Sequence, residues 1–229
     1  MTTTETILKG ARALFGVAIL PVGYPVQQVT AAAAAAAAPL VQGTAFAVKQ
    51  DLFLTAGHVI PSGLRTFEGV LLLGMAHLNQ PQALVQIRKL VARDDELDFA
   101  VLQGSLVQGL MEPLGIDFRD PVTGEDVITV GFPLPEEKGP LEDRTVNLIL
   151  RATKGIVASR VDGSRWFEMD AQFLPGLSGA PVLAAESGKA IGMAQAFVQF
   201  PASGRIMSAV LGRSLALNTL ASRRAELGL

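Results

Sequence analysis

Ser178 stands between two glycines in Pro175-Gly176-Leu177-Ser178-Gly179-Ala180-Pro181. The missing Cβ atoms let a carbonyl group approach and let the chain turn its N–H groups outward. A serine hydroxyl attacks a carbonyl only with a base beside it. The chain of 229 residues offers two imidazoles, His58 and His77, and both precede Ser178. Order then selects among chemistries. An α/β-hydrolase needs its histidine after the nucleophile, and none follows residue 178. An Asp-His-Ser order would leave Asp51, seven positions before His58 on one apparent strand, and the surroundings of the nucleophile do not suit it. The order His-Asp-Ser remains.

His58 closes the apolar run Leu54-Thr55-Ala56-Gly57-His58-Val59, where a turn can hold an imidazole at the edge of a cleft. His77, in Gly74-Met75-Ala76-His77-Leu78-Asn79, lacks such a frame and reads as a loop histidine. Asp94, Asp95 and Asp98 compete for the acid. Asp98 leads into Phe99-Ala100-Val101-Leu102, an apolar strand that draws its carboxylate partly inside, where it needs a donor such as an imidazole N–H. Asp94 and Asp95 share a charged turn with Arg93 and Glu96 and read as solvated.

Composition removes most other chemistries. With no cysteine and two histidines, disulfides, thiolate chemistry and histidine-cluster metal sites are excluded, and no metal or cofactor is expected. Lys and Arg number 19 against 21 Asp and Glu, for a net charge of −2, which gives nucleic acid no basic footprint. The stretch from Ala13 to Val48 carries no charge, but Pro21, Pro25, Pro39 and the Gln27-Gln28 pair interrupt it before it could span a bilayer. Its favoured reading is a helix over Thr4 to Leu14 and a strand over Phe15 to Val22, which suits a cytoplasmic protein. The competing reading is a signal peptide, with Lys9 and Arg12 before an apolar Ala13 to Leu20 and the Ala31 to Ala38 tract as a cleavage zone, which would make it secreted or periplasmic.

The elements that must position these residues are short strands punctuated by Gly, Pro and Asp, so the fold class is all-β. Predicted strands include Gly43 to Lys49, Leu52 to Ala56, Val70 to Leu73, Gln82 to Val91, Phe99 to Leu102, Asp126 to Val130, Val146 to Ala158, Trp166 to Met169, Ala180 to Leu183, Ala190 to Val198 and Arg205 to Val210. A turn-rich stretch, Glu112 to Glu125, divides the chain into residues 1–112 and 113–229. Leu211, Leu215, Leu217 and Leu220 recur at roughly helical spacing, which predicts one closing helix over Leu211 to Leu229.

In this order the residues resemble the trypsin-like serine proteases of the chymotrypsin fold, particularly the bacterial Deg/Htr branch. Gly43-Thr44-Ala45-Phe46, Thr55-Ala56-Gly57-His58-Val59, Asp98-Phe99-Ala100-Val101-Leu102, Val130-Gly131-Phe132-Pro133, Thr153-Lys154-Gly155-Ile156-Val157 and Pro175 to Val182 each look like a segment of that family. Ala45, Leu177 and Ala180 depart from its commoner residues. The resemblance implies two six-stranded antiparallel β-barrels, the first carrying His58 and Asp98 and the second Ser178, with a C-terminal helix and a short N-terminal one.

It further implies an endopeptidase acting on polypeptide, with a His58, Asp98, Ser178 triad, an acyl-enzyme, and an oxyanion hole of the Gly176 and Ser178 N–H groups. Substrate would lie against Gln172 to Pro175, including Gln172 and Leu174, and against Met193 to Phe197, including Ala194, Gln195 and Ala196. Gln172 stands where trypsin-like specificity would need an aspartate, so a small or medium apolar side chain before the cut is expected. Leu177, where digestive relatives carry an aspartate, cannot form the ion pair of zymogen activation. No peptide-binding PDZ module is expected, so regulation of that kind would come from a partner chain; an oligomer is compatible with the sequence. Two other functions fit the same residues: a protease fold serving as a peptide-binding scaffold with a latent site, and a non-proteolytic hydrolase.

Overall fold

The structure, a computed structural model, describes residues 2–20, 30–31, 41–64, 67, 69–77, 80–133, 150–161, 163–199 and 210–229. Most of the Ala31 to Ala38 tract and the first residues of the predicted Val146 and Arg205 strands lie outside them. Helix α1 (Thr3–Ala11) begins at a capping box, in which the Thr2 hydroxyl accepts from the Glu5 N–H while the Glu5 carboxylate accepts from the Thr2 N–H. The Thr2 backbone N–H, with a smaller contribution from the Thr2 hydroxyl, holds the Glu5 carboxyl below its ordinary range.

Strands β1 (Leu14–Ile19), β2 (Val41–Ala47), β3 (Leu52–Ala56), β4 (Val70–His77), β5 (Gln80–Asp94) and β6 (Phe99–Gln108) close into one barrel in the order β1-β2-β3-β6-β5-β4. Strands β7 (Asp126–Gly131), β8 (Arg151–Arg160), β9 (Trp166–Met169), β10 (Pro181–Ala184), β11 (Ala190–Gln199) and β12 (Val210–Ala216) close into a second, in the order β10-β11-β12-β9-β8-β7. The named strand pairs are antiparallel. This is the chymotrypsin-like double barrel. Closure removes sheet edges and leaves each barrel an interior to fill with side chains. Phe15, Phe46, Phe53 and Phe99 fill the first, with Phe15 and Phe53 edge to face at 5.5 Å. Phe167, Met169, Val182 and Ile191 are among those that fill the second.

Two sequence expectations need correction. The closing helix does not begin at Leu211: β12 runs on through Ala216, and a 3₁₀ segment (Leu217–Arg223) then leads into the four-residue α2 (Arg224–Leu227). Leu211 and Leu215 are four apart, a spacing that a helix and a strand both satisfy, and burial of Ser214, Leu215, Ala216 and Leu217 in succession hides the alternation of a strand at its end. His77 is not in a loop. It ends β4, opposite Gln80. The apolar Ala13 to Leu20 stretch is built into the first barrel, where β1 pairs with β2 and β4.

Candidate active site

β3 is buried along its whole length and ends at Ala56, where a 3₁₀ turn (Gly57–Val59) lifts His58 to the surface with about half its side chain exposed. β6 pairs with β3 so that Phe99 faces Ala56, which sets Asp98 beside that turn. Asp98 Oδ2 lies 2.8 Å from His58 Nδ1, and Oδ1 accepts from the His58 backbone N–H at 2.9 Å. A carboxylate in that position favours the tautomer with the proton on Nδ1, which leaves the Nε2 lone pair free to act as a base. Asp98 reaches this place from a left-handed backbone, φ +52°, a conformation that aspartate adopts more readily than most side chains.

The turn that presents Asp98 is tied down at several points. Asp94 accepts from the N–H groups of Glu96 and Leu97, at 3.1 and 2.9 Å, and from Arg223 at 3.0 Å. It is therefore an engaged turn residue rather than a solvated one. Asp95 is largely exposed beside Arg93, and Glu96 pairs with Arg165 of the second barrel. Arg223 also grips Glu226, and this pairing raises the guanidinium's proton affinity and holds the Glu226 carboxyl below its ordinary range.

Ser178 lies in the second of two successive turns. Leu177 N–H donates to Leu174 O at 3.1 Å and Ala180 N–H to Leu177 O at 2.8 Å. The third residues of these turns are Gly176 and Gly179, at φ +93° and +84°, the positive φ that a type II turn requires at that place, with Pro175 at the favoured second position of the first. A Cβ on Gly179 would lie 2.1 Å from Thr44 O, 2.4 Å from Thr55 Oγ1 and 2.8 Å from Ala56 N. The Ser178 turn is thus pressed against β2 and the end of β3, two residues before His58. Thr44 completes the junction: its N–H donates to Ser178 O at 2.8 Å, and its buried hydroxyl donates to Gly176 O at 2.9 Å while accepting from Phe132 N–H at 3.0 Å.

Among the described residues, the N–H groups of Gly176 and Ser178 have no hydrogen-bond acceptor. Ser178 Oγ donates to the Gln195 carbonyl at 3.2 Å, and no hydrogen bond joins it to His58. Leu177 is buried in the second barrel's core. Of the residues predicted to meet substrate, Gln172 is exposed and Leu174 half-buried. Ala194 is engaged through its backbone with Gly179 and Ala180, and Ala196 lies opposite Arg213 in β11. The Gln195 side chain is buried, with Nε2 donating to Leu97 O and Asp98 O and Oε1 accepting from Trp166 Nε1.

Sequence reasoning missed Thr44, and it set Gln195 against substrate, whereas the Gln195 side chain is buried against the Asp98 turn. Thr44 lies inside a segment singled out for its resemblance, but nothing in its spacing says that its hydroxyl reaches across to the Ser178 turn.

Residues 43–193, which contain His58, Asp98 and Ser178, match the model of the trypsin-like peptidase domain. The chain belongs to the trypsin-like peptidase family. A solved structure described as the serine endoprotease from Yersinia pestis superposes with a TM-score of 0.65 at 17% identity, covering 99% of this chain and 66% of that one. The peptidase domain here therefore shares its fold with that enzyme while spanning 66% of its length. No protein of curated function matches the chain. Among the described residues of the peptidase domain, no helix is long and apolar enough to cross a membrane, and no group of three or more metal-ligating side chains is present.

Proposed function

We propose that this chain is a serine endopeptidase working through Ser178, His58 and Asp98. The observation that carries the reading is the two-point contact of Asp98 with His58, at Nδ1 and at the backbone N–H, which orients an imidazole beside the serine turn. In the first half-reaction Ser178 Oγ bonds to the peptide carbonyl carbon as its proton passes to His58 Nε2, and the carbonyl π electrons move onto oxygen. The Gly176 and Ser178 N–H groups receive that oxyanion. The C–N bond then breaks, the amine leaves with the proton from Nε2, and water reverses the roles to release the acid. Ser178 Oγ must first turn from the Gln195 carbonyl toward Nε2, a side-chain rotation of the kind common between resting and substrate-bound sites.

Specificity for a small or medium apolar side chain before the cut has two supports. Gln172 brings no charge. Phe173 occupies the space beside it, with its ring so close over Gly212 that a Cβ there would lie 2.2 Å from ring carbons. A bulky side chain entering between this segment and β12 would have to displace a buried ring.

The bond from Ser178 Oγ to Gln195 O favours one second reading, a latent site that a partner chain or bound peptide switches on. A fluorophosphonate probe separates the two. The active enzyme labels at Ser178 without additions and Ser178→Ala does not; a latent site labels only once peptide is added. Labelling that survives Ser178→Ala in either state would sink the nucleophile assignment.

A further inference from the structure

We infer that Gln195 is a positioning residue that sets the His58–Asp98 pair from the opposite barrel; the inference rests on the serine-peptidase reading above. β11 carries a bulge between Ala194 and Ala196, where its register against β12 shifts. The extra residue of a bulge leaves the ladder and can be aimed elsewhere. Gln195 is that residue, and both of its ends face the site. Its main-chain carbonyl holds Ser178 Oγ, and its side-chain amide donates to the carbonyls of Leu97 and Asp98.

The second contact matters because of where it falls. Asp98 has the one positive φ among the described non-glycine residues. A single side chain in a left-handed conformation persists when its surroundings over-determine it. Gln195 Nε2 bonds to the peptide on each side of the Asp98 Cα, at Leu97 O and at Asp98 O, the latter at 2.9 Å. The amide is itself fixed at its other end by Trp166 Nε1, which donates to Oε1 at 2.9 Å and so dictates which way the amide points. Trp166 is in turn covered by the Arg213 guanidinium, 5.5 Å from its ring centroid.

Gln195 touches neither His58 nor Asp98's carboxylate, so it acts through the Asp98 backbone. Without its two donations the turn relaxes from the left-handed conformation, and the carboxylate loses the orientation that serves both His58 Nδ1 and His58 N–H. Its loss should therefore lower turnover without weakening substrate capture.

The test compares full-length wild type with Gln195→Met, which keeps the shape and removes the amide, and with Gln195→Ala, whose vacated space admits water to the freed carbonyls and spares folding. Three quantities are read: kcat and KM on a peptide substrate, the rate of fluorophosphonate labelling, and the NMR resonance of the His58 Nδ1 proton. For both variants kcat and the labelling rate should fall on the order of 10²-fold, as misplacement of a reacting group by about 1 Å does, with KM within about threefold. The Nδ1 proton should lie downfield in wild type, as the 2.8 Å contact with Asp98 Oδ2 requires, and should move upfield or vanish through exchange in the variants. Unchanged kcat and labelling, a loss confined to KM, or a fall in kcat with the Nδ1 resonance in place would each overturn the role given to Gln195. Ser178→Ala is the separate arm: hydrolysis or labelling that survives it refutes the underlying peptidase reading, whatever Gln195 does.

Discussion

Thr44→Val replaces a buried hydroxyl by a methyl of nearly the same shape and so isolates what that oxygen does. In wild type it donates to Gly176 O at 2.9 Å and accepts from Phe132 N–H at 3.0 Å. The variant leaves one buried acceptor and one buried donor without these partners, each costing about 1–3 kcal/mol, so stability should fall by roughly 2–6 kcal/mol. The catalytic effect has a different origin. Gly176 O belongs to the peptide lying between the two that carry the proposed oxyanion donors, and the Thr44 hydroxyl anchors that peptide. Freed, it can rotate and misaim a donor. Loss of one such donor raises the barrier by about 3 kcal/mol, or roughly 10²-fold in rate, and a misaimed donor should cost between about 10-fold and that limit. The oxyanion forms only as the reaction proceeds, so kcat should carry the loss and KM should hardly move. Steady-state kinetics on a peptide substrate gives both values, and urea denaturation of the same samples gives the stability change. Thr44→Ser keeps the hydroxyl and should retain most of the turnover. A Thr44→Val enzyme with kcat within about twofold of wild type, or a Thr44→Ser enzyme equally impaired, would refute the anchoring role.

Gly179→Ala meets both a positive φ and main-chain atoms closer than any real Cβ contact; it should destabilise by about 4 kcal/mol or more, measured as a lowered urea midpoint, and a shift below about 1 kcal/mol would mean the turn is looser than it looks. Leu177→Asp places a carboxylate in the second barrel's core. It should lose about 3–5 kcal/mol in the same assay, and wild-type stability would mean that the carboxylate finds a cationic partner. The Glu226 carboxyl is held low by Arg223, so its contribution is present above its unfolded pKa and lost as pH falls through the depressed folded one. Wild type should therefore lose more stability than Glu226→Gln between about pH 5 and pH 2; identical acid profiles would exclude the linkage. Peptidase activity should rise from acid toward neutral pH, as a neutral imidazole base requires, and a rate flat from about pH 5 to pH 9 would contradict a histidine base.

The strands most legible in the sequence were the short ones with a break at each end. Leu52–Ala56 and Trp166–Met169 appear with the predicted ends, because sharp breaks bound them on both sides. Strands that outgrow their apolar stretch did not read correctly. β6 continues from Leu102 to Gln108 through polar and exposed residues because pairing with β5, not burial, sustains it there. The opposite error arose at β12, where the unbroken burial from Ser214 into Leu217 hides strand periodicity and the leucine spacing imitates a helix.

At the site the same contrast appears between side chains and their supports. His58, Asp98 and Ser178 stand out because such chemistry permits few residue types and the chain holds only two histidines. The supporting roles of Thr44 and Gln195 do not stand out: a threonine on a buried strand is ordinary in sequence, and Gln195 reads only as a substrate contact. What distinguishes them is reach across the junction between barrels, from β2 to the nucleophile turn and from β11 to the Asp98 turn. The two hydrogen-bond systems run in opposite directions, so each barrel fixes the reactive turn of the other. A shift of one barrel against its neighbour would then loosen the Asp98 turn and the oxyanion donors together. It follows that Thr44→Val and Gln195→Met should not be additive in kcat. Once one cross-barrel tie is lost, the second has less alignment left to protect, and the double variant should fall short of the product of the single losses. Fully multiplicative losses would show that the two ties act on independent parts of the site.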